Sequence, residues 1–404
     1  EKEYEDRLKV MKQLERAFRS SKRRSFHRLP EGWGSSIRCD VEPSATDRMI
    51  IAIASDEIDP LPLFAVVNST LSNAANPETL PVILYVAHAA RKALSALVRR
   101  YLPRARISIC IGLEEQLRNR PAMKALAALG NSSRVKRKEL LSSFNFAAFY
   151  LPHILRNERI LYLDTDVIVR RDVGALARMD FRDYPAAAVE DCTQRVSKYI
   201  DFGLAAAYRR AARVRVENLW RDGCFDASRP LSNTTNLPHC EPAPLALPPN
   251  ASCVFNRGVL VLNRQAWIRE HLAEHIERHV VDYVHSRGAL FRSGVSQPPF
   301  LLALATRYHK LSGEWNVRGL GRDAIGNPEW RVVAHQIRDT YAGFSEIEAQ
   351  LLTYMRDIAE LRLHTDQRNV GSGVHSVASV GSNDNAPSGS LVVSSGGGVV
   401  VVAG

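Results

Sequence analysis

The chain has 404 residues, of which 45% are hydrophobic and 24% are charged. This ordinary globular composition is sufficient for a full hydrophobic core, and it excludes intrinsic disorder for the bulk of the chain. With 54 Lys and Arg against 43 Asp and Glu, the formal net charge is +11. A basic balance favours anionic partners such as nucleotides, acidic polymers, nucleic acid or a membrane surface, without choosing among them.

Three further features concern the compartment. No apolar run reaches the roughly 18 residues that span a bilayer, and because the chain begins at Glu1, an upstream signal or anchor segment stays open. The six cysteines include no CxxC pair, which argues against a zinc ribbon. Asn-x-Ser/Thr acceptors favour the secretory route. They stand at Asn68, Asn131, Asn233 and Asn250.

The first 47 residues are predicted to be a basic stem or linker. Residues 1–30 carry apolar side chains at helical spacing and end in a basic run, which indicates an exposed amphipathic helix. Residues 30–43 contain Gly and Pro and are predicted to be a loop. Regular α/β character begins at Arg48, where we place the start of a domain.

The next apolar runs are predicted to be strands buried on both faces, because they lack polar alternation. The strands are residues 49–55, 81–87 and 106–111, and the helices between them are residues 61–71 and 89–101. This β-α-β-α-β order indicates an α/β fold with an open, mostly parallel sheet. Such sheets bind ligands beyond the carboxyl ends of their strands, and Asp56 stands at one such end.

The second half of the chain continues the pattern around one interruption. Strands are predicted at 159–169, 186–189, 253–263 and 331–335, helices at 140–155, 267–284 and 297–304, a helix and turn at 172–183, and a tight loop at 315–321. Residues 203–252 become Pro-rich and are predicted to be a surface insertion. We place the domain at 48–345, and a C-terminal helix with a disordered low-complexity tail at 346–404.

Two carboxylates, Asp164 and Asp166, flank Thr165 at the end of a buried strand. In β-conformation, residues two apart point the same way, so both carboxylates can face one site. Two negative charges so near to each other are energetically costly unless a cation neutralises them. Mg²⁺ and Mn²⁺ prefer oxygen ligands and can bridge to phosphate. The pattern therefore fits a metal-bound nucleotide diphosphate, and a pair of structural carboxylates at a strand end fits it as well.

An Asp-x-Asp motif after an apolar strand also opens the haloacid-dehalogenase phosphatases, in which the first Asp is the nucleophile. That family places the motif near the start of its domain and follows it with a turn of small residues. Here the motif follows three predicted strands, and residues 167–169 continue apolar. Both differences favour the nucleotide-binding interpretation.

Five blocks carry a wider resemblance. They are Ser143-Phe-Asn-Phe-Ala-Ala-Phe-Tyr-Leu-Pro152, Ile160-Leu-Tyr-Leu-Asp-Thr-Asp-Val-Ile-Val169, Cys253-Val-Phe-Asn-Arg-Gly-Val-Leu-Val-Leu-Asn263, Gln297-Pro-Pro-Phe-Leu-Leu302 and Trp315-Asn-Val-Arg-Gly-Leu-Gly321. In this order they resemble glycosyltransferase family 8, and the last two resemble its plant galacturonosyltransferase-like branch and animal relatives. The resemblance implies a GT-A fold and a retaining transferase that uses a UDP-sugar with Mn²⁺ or Mg²⁺.

The resemblance also implies roles for particular residues. The run Asp164-Thr165-Asp166 matches the motif that binds metal and diphosphate, with the two Asp as metal ligands. The run Ala54-Ser55-Asp56 matches the segment that recognises uracil at the end of the first strand. Asn256 matches the Asn beside the sugar, and His335 matches the third metal ligand.

Retention requires either an enzyme nucleophile or attack on the face that the leaving group departs from. The sequence shows no carboxylate at the place expected for a nucleophile, so we favour same-face attack. In that mechanism the leaving phosphate oxygen takes the acceptor's proton, and Asn256 and Gln297 position the sugar. The cation held by Asp164 and Asp166 neutralises charge on the departing UDP as a Lewis acid.

Two departures from the family leave a second hypothesis open. Ala148 stands where the family usually has Arg, and His335 is followed by Gln-Ile-Arg338 instead of Gly and then Lys-Pro-Trp. Arg338 is the cation that could replace the missing Lys at the diphosphate. A catalytically weak or inactive relative that binds UDP-sugar, metal or a partner is therefore an alternative. A basic nucleic-acid-binding protein is a third hypothesis that rests on net charge alone, since no recognised nucleic-acid module is present.

These inferences predict transfer of a hexosyl or hexuronosyl group from a UDP-sugar to a glycan or polysaccharide acceptor. No nucleic acid is expected as a partner. The predicted location is the Golgi lumen, as a type II membrane protein whose anchor is missing from this chain.

Overall fold

The computed structural model describes residues 29, 33–130, 141–206, 248–249 and 251–317. Most of the predicted stem, most of the predicted insertion and everything after residue 317 lie outside these residues. The predicted strand at 331–335 and the predicted tail at 346–404 are therefore not described. Within the described ranges, no helix combines the length and the apolar character that a membrane crossing requires.

One eight-stranded sheet organises the described residues. Its strands are β1 (Arg38–Cys39), β2 (Met49–Ser55), β3 (Val82–Val86), β4 (Ile107–Ile111), β5 (Arg159–Leu163), β6 (Ala186–Arg195), β7 (Cys253–Asn263) and β8 (His309–Leu311). They lie in the order β1-β4-β3-β2-β5-β7-β6-β8. The β4–β3, β3–β2, β2–β5 and β6–β8 pairs are parallel, whereas β7 runs antiparallel to both β5 and β6. The predicted mostly parallel sheet is confirmed.

Helices cover both faces of this sheet. They are α1 (Leu61–Ser72), α2 (His88–Tyr101), α3 (Leu113–Arg118), α4 (Pro121–Gly130), α5 (Ala147–Ile154), α6 (Gly174–Arg178), α7 (Val196–Tyr199), α8 (Arg264–Arg269), α9 (Leu272–His285) and α10 (Gln297–Leu304). Short 3₁₀ turns lie at Ser143–Phe146 and Gly313–Trp315. The sequence pattern did not predict α3 and α4.

Alternate residues of the central strand β2 enter different cores, which makes the domain a three-layer α/β structure. Ile50 and Ala52 belong to the core that contains α5, α9 and α10. Ile51 and Ile53 belong to the core that contains α1 and α2. All four side chains are at most 1% exposed, and burying a large aliphatic side chain contributes about 1.5–3 kcal/mol. This burial on both faces explains the unbroken apolar run in the sequence.

The helix predicted at 267–284 is two helices, so that prediction is wrong in its continuity. His271 has φ 50°, in the left-handed region, and separates α8 from α9. The buried Trp267 of α8 donates its Nε1–H to the carbonyl of Phe149 at 3.1 Å, which fixes α8 against α5. In the second helix, Glu277 pairs with Arg120, just before α4, at 2.5 Å and accepts from the Tyr150 hydroxyl of α5 at 2.7 Å. Each helix has its own buried contact, and the chain turns between them at His271.

The strand predicted at 159–169 ends at Leu163, because Asp164 to Asp166 form a turn. The apolar residues 167–169 that follow are buried but are not in a strand. Side chains at the end of α1 and at Asn73, directly after it, satisfy the backbone of Val169 instead. Ser69 accepts from its N–H at 3.1 Å, and Asn73 donates to its carbonyl at 3.0 Å.

Part of the predicted N-terminal stem packs on the domain. Strand β1 pairs antiparallel with the edge strand β4, and a disulfide joins Cys39 to Cys110 across this pair. Trp33 lies with its ring centroid 5.2 Å from that of Tyr150. Residues 33–39 therefore cover the sheet edge and the neighbouring core, where the sequence predicted only a loop.

Candidate functional site

The two predicted metal ligands lie at the carboxyl edge of the sheet, directly after β5. The backbone N–H of Asp164 donates to the carbonyl of Gly258 on β7 at 2.9 Å, which fixes the end of β5 against β7. Thr165 and Asp166 continue as a turn, with all three side chains partly exposed. The turn keeps both carboxylates at one place, although the strand geometry assumed from the sequence does not extend past Leu163.

The electrostatics of this pair favour a bound cation. Burial, and then the like charge of Asp164, raise the pKa of Asp166 to about 8. Burial also raises the pKa of Asp164, although the positive charge of Arg257 and a hydrogen bond with the Tyr162 hydroxyl oppose the rise. Two carboxylates in such a place are destabilising when both are ionised, and a bound cation removes that penalty.

The donor chemistry of the pair fits a hard divalent cation. Oδ1 of Asp166 is buried and has no hydrogen-bond partner among the described residues. A buried carboxylate oxygen without a partner is costly, and carboxylate oxygens are the ligands that Mg²⁺ and Mn²⁺ prefer. Asp164 and Asp166 therefore fit the predicted metal. The proposed third ligand, His335, lies outside the described residues, as does Arg338.

A different group of potential ligands does not fit a metal. Oxygen and sulfur atoms of Glu190, Cys192 and Cys253 lie within 4.8 Å of one another. However, Cys192 and Cys253 form a disulfide between β6 and β7, and Lys310 and Tyr308 both contact the Glu190 carboxylate. The thiolates that a metal would need are absent, so this group is structural.

The predicted uracil segment lies at the end of β2, the neighbour of β5. Ala54 and Ser55 are buried, and the Ser55 Oγ accepts from the backbone N–H of Glu57 at 3.2 Å. Asp56 is exposed immediately after the strand, and its carboxylate accepts a hydrogen bond from the Ser142 hydroxyl. Because β2 and β5 are parallel neighbours, Asp56 lies along the same edge as Asp164.

The two predicted sugar-positioning residues lie together on the other side of the aspartate pair. Asn256, on β7, accepts from the N–H of Gly258 at 3.0 Å through its Oδ1. Gln297 is the first residue of α10, and its Nε2 donates to the carbonyl of Phe255 at 2.8 Å. Both amides are thus fixed by backbone groups of β7, at Gly258 and Phe255. The structure brings Asp164, Asp166, Asn256 and Gln297 to one edge.

Sequence reasoning missed two side chains of this site. Arg257 lies beside the aspartate pair, where its charge opposes the rise in the pKa of both carboxyl groups, and it donates to the Asn145 carbonyl at 2.5 Å. Asn316 accepts from the Nδ2 of Asn256 through its Oδ1 at 3.3 Å. Each stands within a recognised sequence block, but the pattern of the blocks assigns neither a role.

The predicted departure at Ala148 has a clear structural setting. Ala148 lies in α5, is 1% exposed, and belongs to the same core as Phe149 and Phe300. At that position this chain supplies no charge to the site. Arg257 supplies a cation from β7 instead.

Comparison with known proteins identifies the family. The sequence model of glycosyl transferase family 8 matches residues 50–342, a span that includes β2 to β8 and every site residue named above. The chain belongs to glycosyl transferase family 8. The predicted family and the predicted GT-A fold are confirmed, and the phosphatase interpretation of the Asp-x-Asp motif is set aside. Family 8 membership supports glycosyl transfer as the activity, with a nucleotide-sugar donor and a glycan acceptor in general terms.

Curated family 8 proteins from plants and animals are similar to this chain. Probable galacturonosyltransferase-like 6 of Arabidopsis thaliana is 25% identical over 313 residues, which cover 76% of this chain and 77% of that protein. Human glycosyltransferase 8 domain-containing protein 2 is 27% identical over 206 residues, which cover 50% of this chain and 52% of that protein. The chain thus spans about half the length of this animal relative.

Solved glycosyltransferase structures are also similar at low identity. The galactosyltransferase LgtC, in complex with donor and acceptor sugar analogues, is 17% identical with a TM-score of 0.43, covering 70% of this chain and 82% of that one. Mouse xyloside xylosyltransferase 1 is 16% identical with a TM-score of 0.41, covering 72% of this chain and 92% of that one.

Proposed function

We propose that this chain is a retaining, metal-assisted glycosyltransferase that moves a hexosyl or hexuronosyl group from a UDP-sugar to a glycan. The observation that carries the proposal is the half-buried aspartate pair at the carboxyl edge, with a buried, unpartnered oxygen on Asp166 and a fixed amide on Asn256 beside it. A cation site next to fixed amides suits a sugar diphosphate. The cation neutralises the charge of the diphosphate, and the amides form hydrogen bonds with the hydroxyl groups of the sugar.

The order of groups along the sheet edge supports a UDP-sugar. Asp56 follows β2, the aspartate pair follows β5, and Asn256 lies on β7, the next strand in the sheet. A UDP-sugar presents its base, its diphosphate and its sugar in the same order. Neighbouring strands lie about 4.8 Å apart, so an extended ligand can contact all three places.

The residues then divide the work of the reaction. Asp56 holds the base, and Asp164 and Asp166 hold the Mn²⁺ or Mg²⁺ with the diphosphate. When bound, that cation supplies charge neutralisation for the departing diphosphate. Arg257 adds a fixed positive charge close to the same place, and a fixed donor or charge in a water-poor site stabilises developing charge without reorganisation.

Asn256 and Gln297 position the sugar. Gln297 uses its Nε2 on the Phe255 carbonyl, so its Oε1 is the atom left to accept from a sugar hydroxyl. The carboxylate that lies across from Phe255, Glu190, is held by Tyr308 at 2.5 Å and by Lys310 at 3.0 Å. An ion-paired carboxylate is a poor nucleophile, which supports same-face attack with the leaving phosphate oxygen as the base.

The secretory pathway, and the Golgi lumen in particular, is the proposed location. The structure contains two disulfides, Cys39–Cys110 and Cys192–Cys253. Disulfides persist in oxidising compartments and are rare in the cytosol. Together with the Asn-x-Ser/Thr acceptors, they support synthesis in the endoplasmic reticulum.

A catalytically weak or inactive relative is the second candidate function, and the observation that favours it is the buried Ala148 at a position where the family usually has Arg. Two measurements on the same protein preparation distinguish the two functions. Calorimetry measures UDP affinity with Mn²⁺ and with EDTA, and a UDP-release assay screens a panel of UDP-hexoses and UDP-hexuronic acids with a glycan mixture. Mn²⁺-dependent affinity with turnover supports the transferase, and affinity without turnover on any donor supports the inactive relative. Absence of UDP affinity defeats both.

A further inference from the structure

A second buried amide lies behind Asn256. Asn316 follows the 3₁₀ turn Gly313–Trp315 and is 1% exposed. Trp315 is itself buried in the core on the α1 and α2 side of the sheet, and the N–H of Asn316 donates to the Gly313 carbonyl at 3.3 Å. Both contacts fix the backbone at Asn316, so its side chain has a defined position.

The orientation of both amides follows from one backbone group. The N–H of Gly258 donates to Oδ1 of Asn256, so the opposite atom of that amide, Nδ2, must face Asn316. A donor requires an acceptor, so Asn316 presents its Oδ1 to Asn256, at 3.3 Å. The Nδ2 of Asn316 is therefore turned away from Asn256.

That Nδ2 is buried and has no hydrogen-bond partner within the described part of the chain. Leaving a buried donor unpaired costs about 1–3 kcal/mol. A ligand that supplies the missing acceptor removes this cost, so the unpaired donor beside the binding residues favours ligand binding.

The place of Asn316 in the fold indicates which part of the ligand it meets. Along the sheet edge, Asp56 and the aspartate pair lie on the β2 and β5 side of Asn256. Asn316 follows β8, which lies on the opposite side, beyond β6. The next group of a nucleotide-sugar beyond its diphosphate is the sugar, so Asn316 faces the sugar end.

We propose that Asn316 is a specificity-determining residue for the donor sugar. It holds the amide of Asn256 through its Oδ1, and its Nδ2 donates to a hydroxyl or carboxylate oxygen of the sugar. This inference rests on the proposed function, because it requires a UDP-sugar in the site. It adds a selective contact that acts on the sugar and not on UDP.

The test compares affinities for UDP and for UDP-sugars, measured by calorimetry with Mn²⁺ on Asn316→Asp and wild-type protein. The carboxylate keeps an oxygen towards Asn256, removes the donor and adds a negative charge. We expect UDP affinity to stay within about twofold and affinity for the preferred UDP-sugar to fall about tenfold, the equivalent of 1.4 kcal/mol. Asn263→Asp is the matched control, because Asn263 lies at the far end of β7 and caps α8 with its Oδ1, a role that Asp also fills.

A ligand-side measurement keeps the inference testable if Asn316→Asp folds poorly. A set of monodeoxy UDP-sugars is titrated into wild-type protein and into Asn316→Ser. One deoxy analogue should bind about tenfold more weakly than its parent to wild type, and the same pair should bind alike to the variant.

Three results overturn the inference while leaving the proposed function intact. They are unchanged UDP-sugar affinity in Asn316→Asp, equal losses for UDP and UDP-sugar, and a wild-type protein that binds every UDP-sugar no more tightly than UDP. A wild-type protein that binds no UDP with Mn²⁺ overturns the proposed function, and the inference with it.

Discussion

Replacing Asp166 with Asn should stabilise the metal-free protein while removing its response to metal. The carboxylate is crowded by burial and by Asp164, which together raise its pKa from 3.8 to about 8. A rise of that size corresponds to about 5–6 kcal/mol at full burial. Because the Asp166 residue is partly exposed, solvent screening reduces the figure, and we expect a gain of about 2 kcal/mol, still a large effect for one substitution.

Thermal and urea unfolding of wild type and Asp166→Asn at pH 7.5 measure this gain. In EDTA the variant should melt about 4–8 °C above wild type. With Mn²⁺ and UDP at about 100 times their dissociation constant, wild type should gain about 2.7 kcal/mol, and the variant should gain little. The variant should therefore be more stable than wild type in EDTA and less stable than wild type with Mn²⁺ and UDP. This reversal separates a functional metal site from ordinary structural carboxylates.

Asp172→Asn is the control for this experiment. Asp172 lies in the same part of the chain, but its carboxylate accepts from the N–H of Gly174 at 3.0 Å, a bond that Asn retains. We expect unchanged stability in both conditions. The reasoning is refuted if Asp166→Asn is less stable than wild type in EDTA, or if Mn²⁺ with UDP stabilises both proteins equally.

Three further predictions concern stability and processing. Glu277→Ala should cost about 3–5 kcal/mol in urea unfolding, because it removes the carboxylate that forms an ion pair with the buried Arg120; a cost below 1 kcal/mol would contradict this. Burial lowers the pKa of His153 to about 4. As the pH falls below about 6.5, this imidazole therefore takes up a proton in the unfolded chain before it does so in the folded protein. Stability should then decrease by about 1 kcal/mol per pH unit from that group, and His153→Gln should reduce the slope. Asn68 should carry no glycan in peptide mapping of secreted protein, because Thr70 of its acceptor triplet is 0% exposed within α1; occupancy there would show modification before folding.

The sequence by itself determined the elements whose pattern is local. Strands β2 and β7 and helix α10 begin and end at the residues predicted from their apolar runs and from Pro at the first turn. Burial on both faces of a central strand requires apolar side chains at every position, so the strand is visible without its neighbours. The Asp-x-Asp motif is local in the same way, since two carboxylates two residues apart are already close.

Tertiary structure alone decided which distant groups meet. The amides of Asn256 and Asn316 are 60 residues apart in sequence, and the Ser142 hydroxyl meets Asp56 across 86 residues. Nothing in the local sequence distinguishes these polar side chains from others, and only the tertiary packing brings each pair together. The break at His271 has the same origin, because the separate tertiary contacts of α8 and α9 outweigh the helical preference of the residues between them.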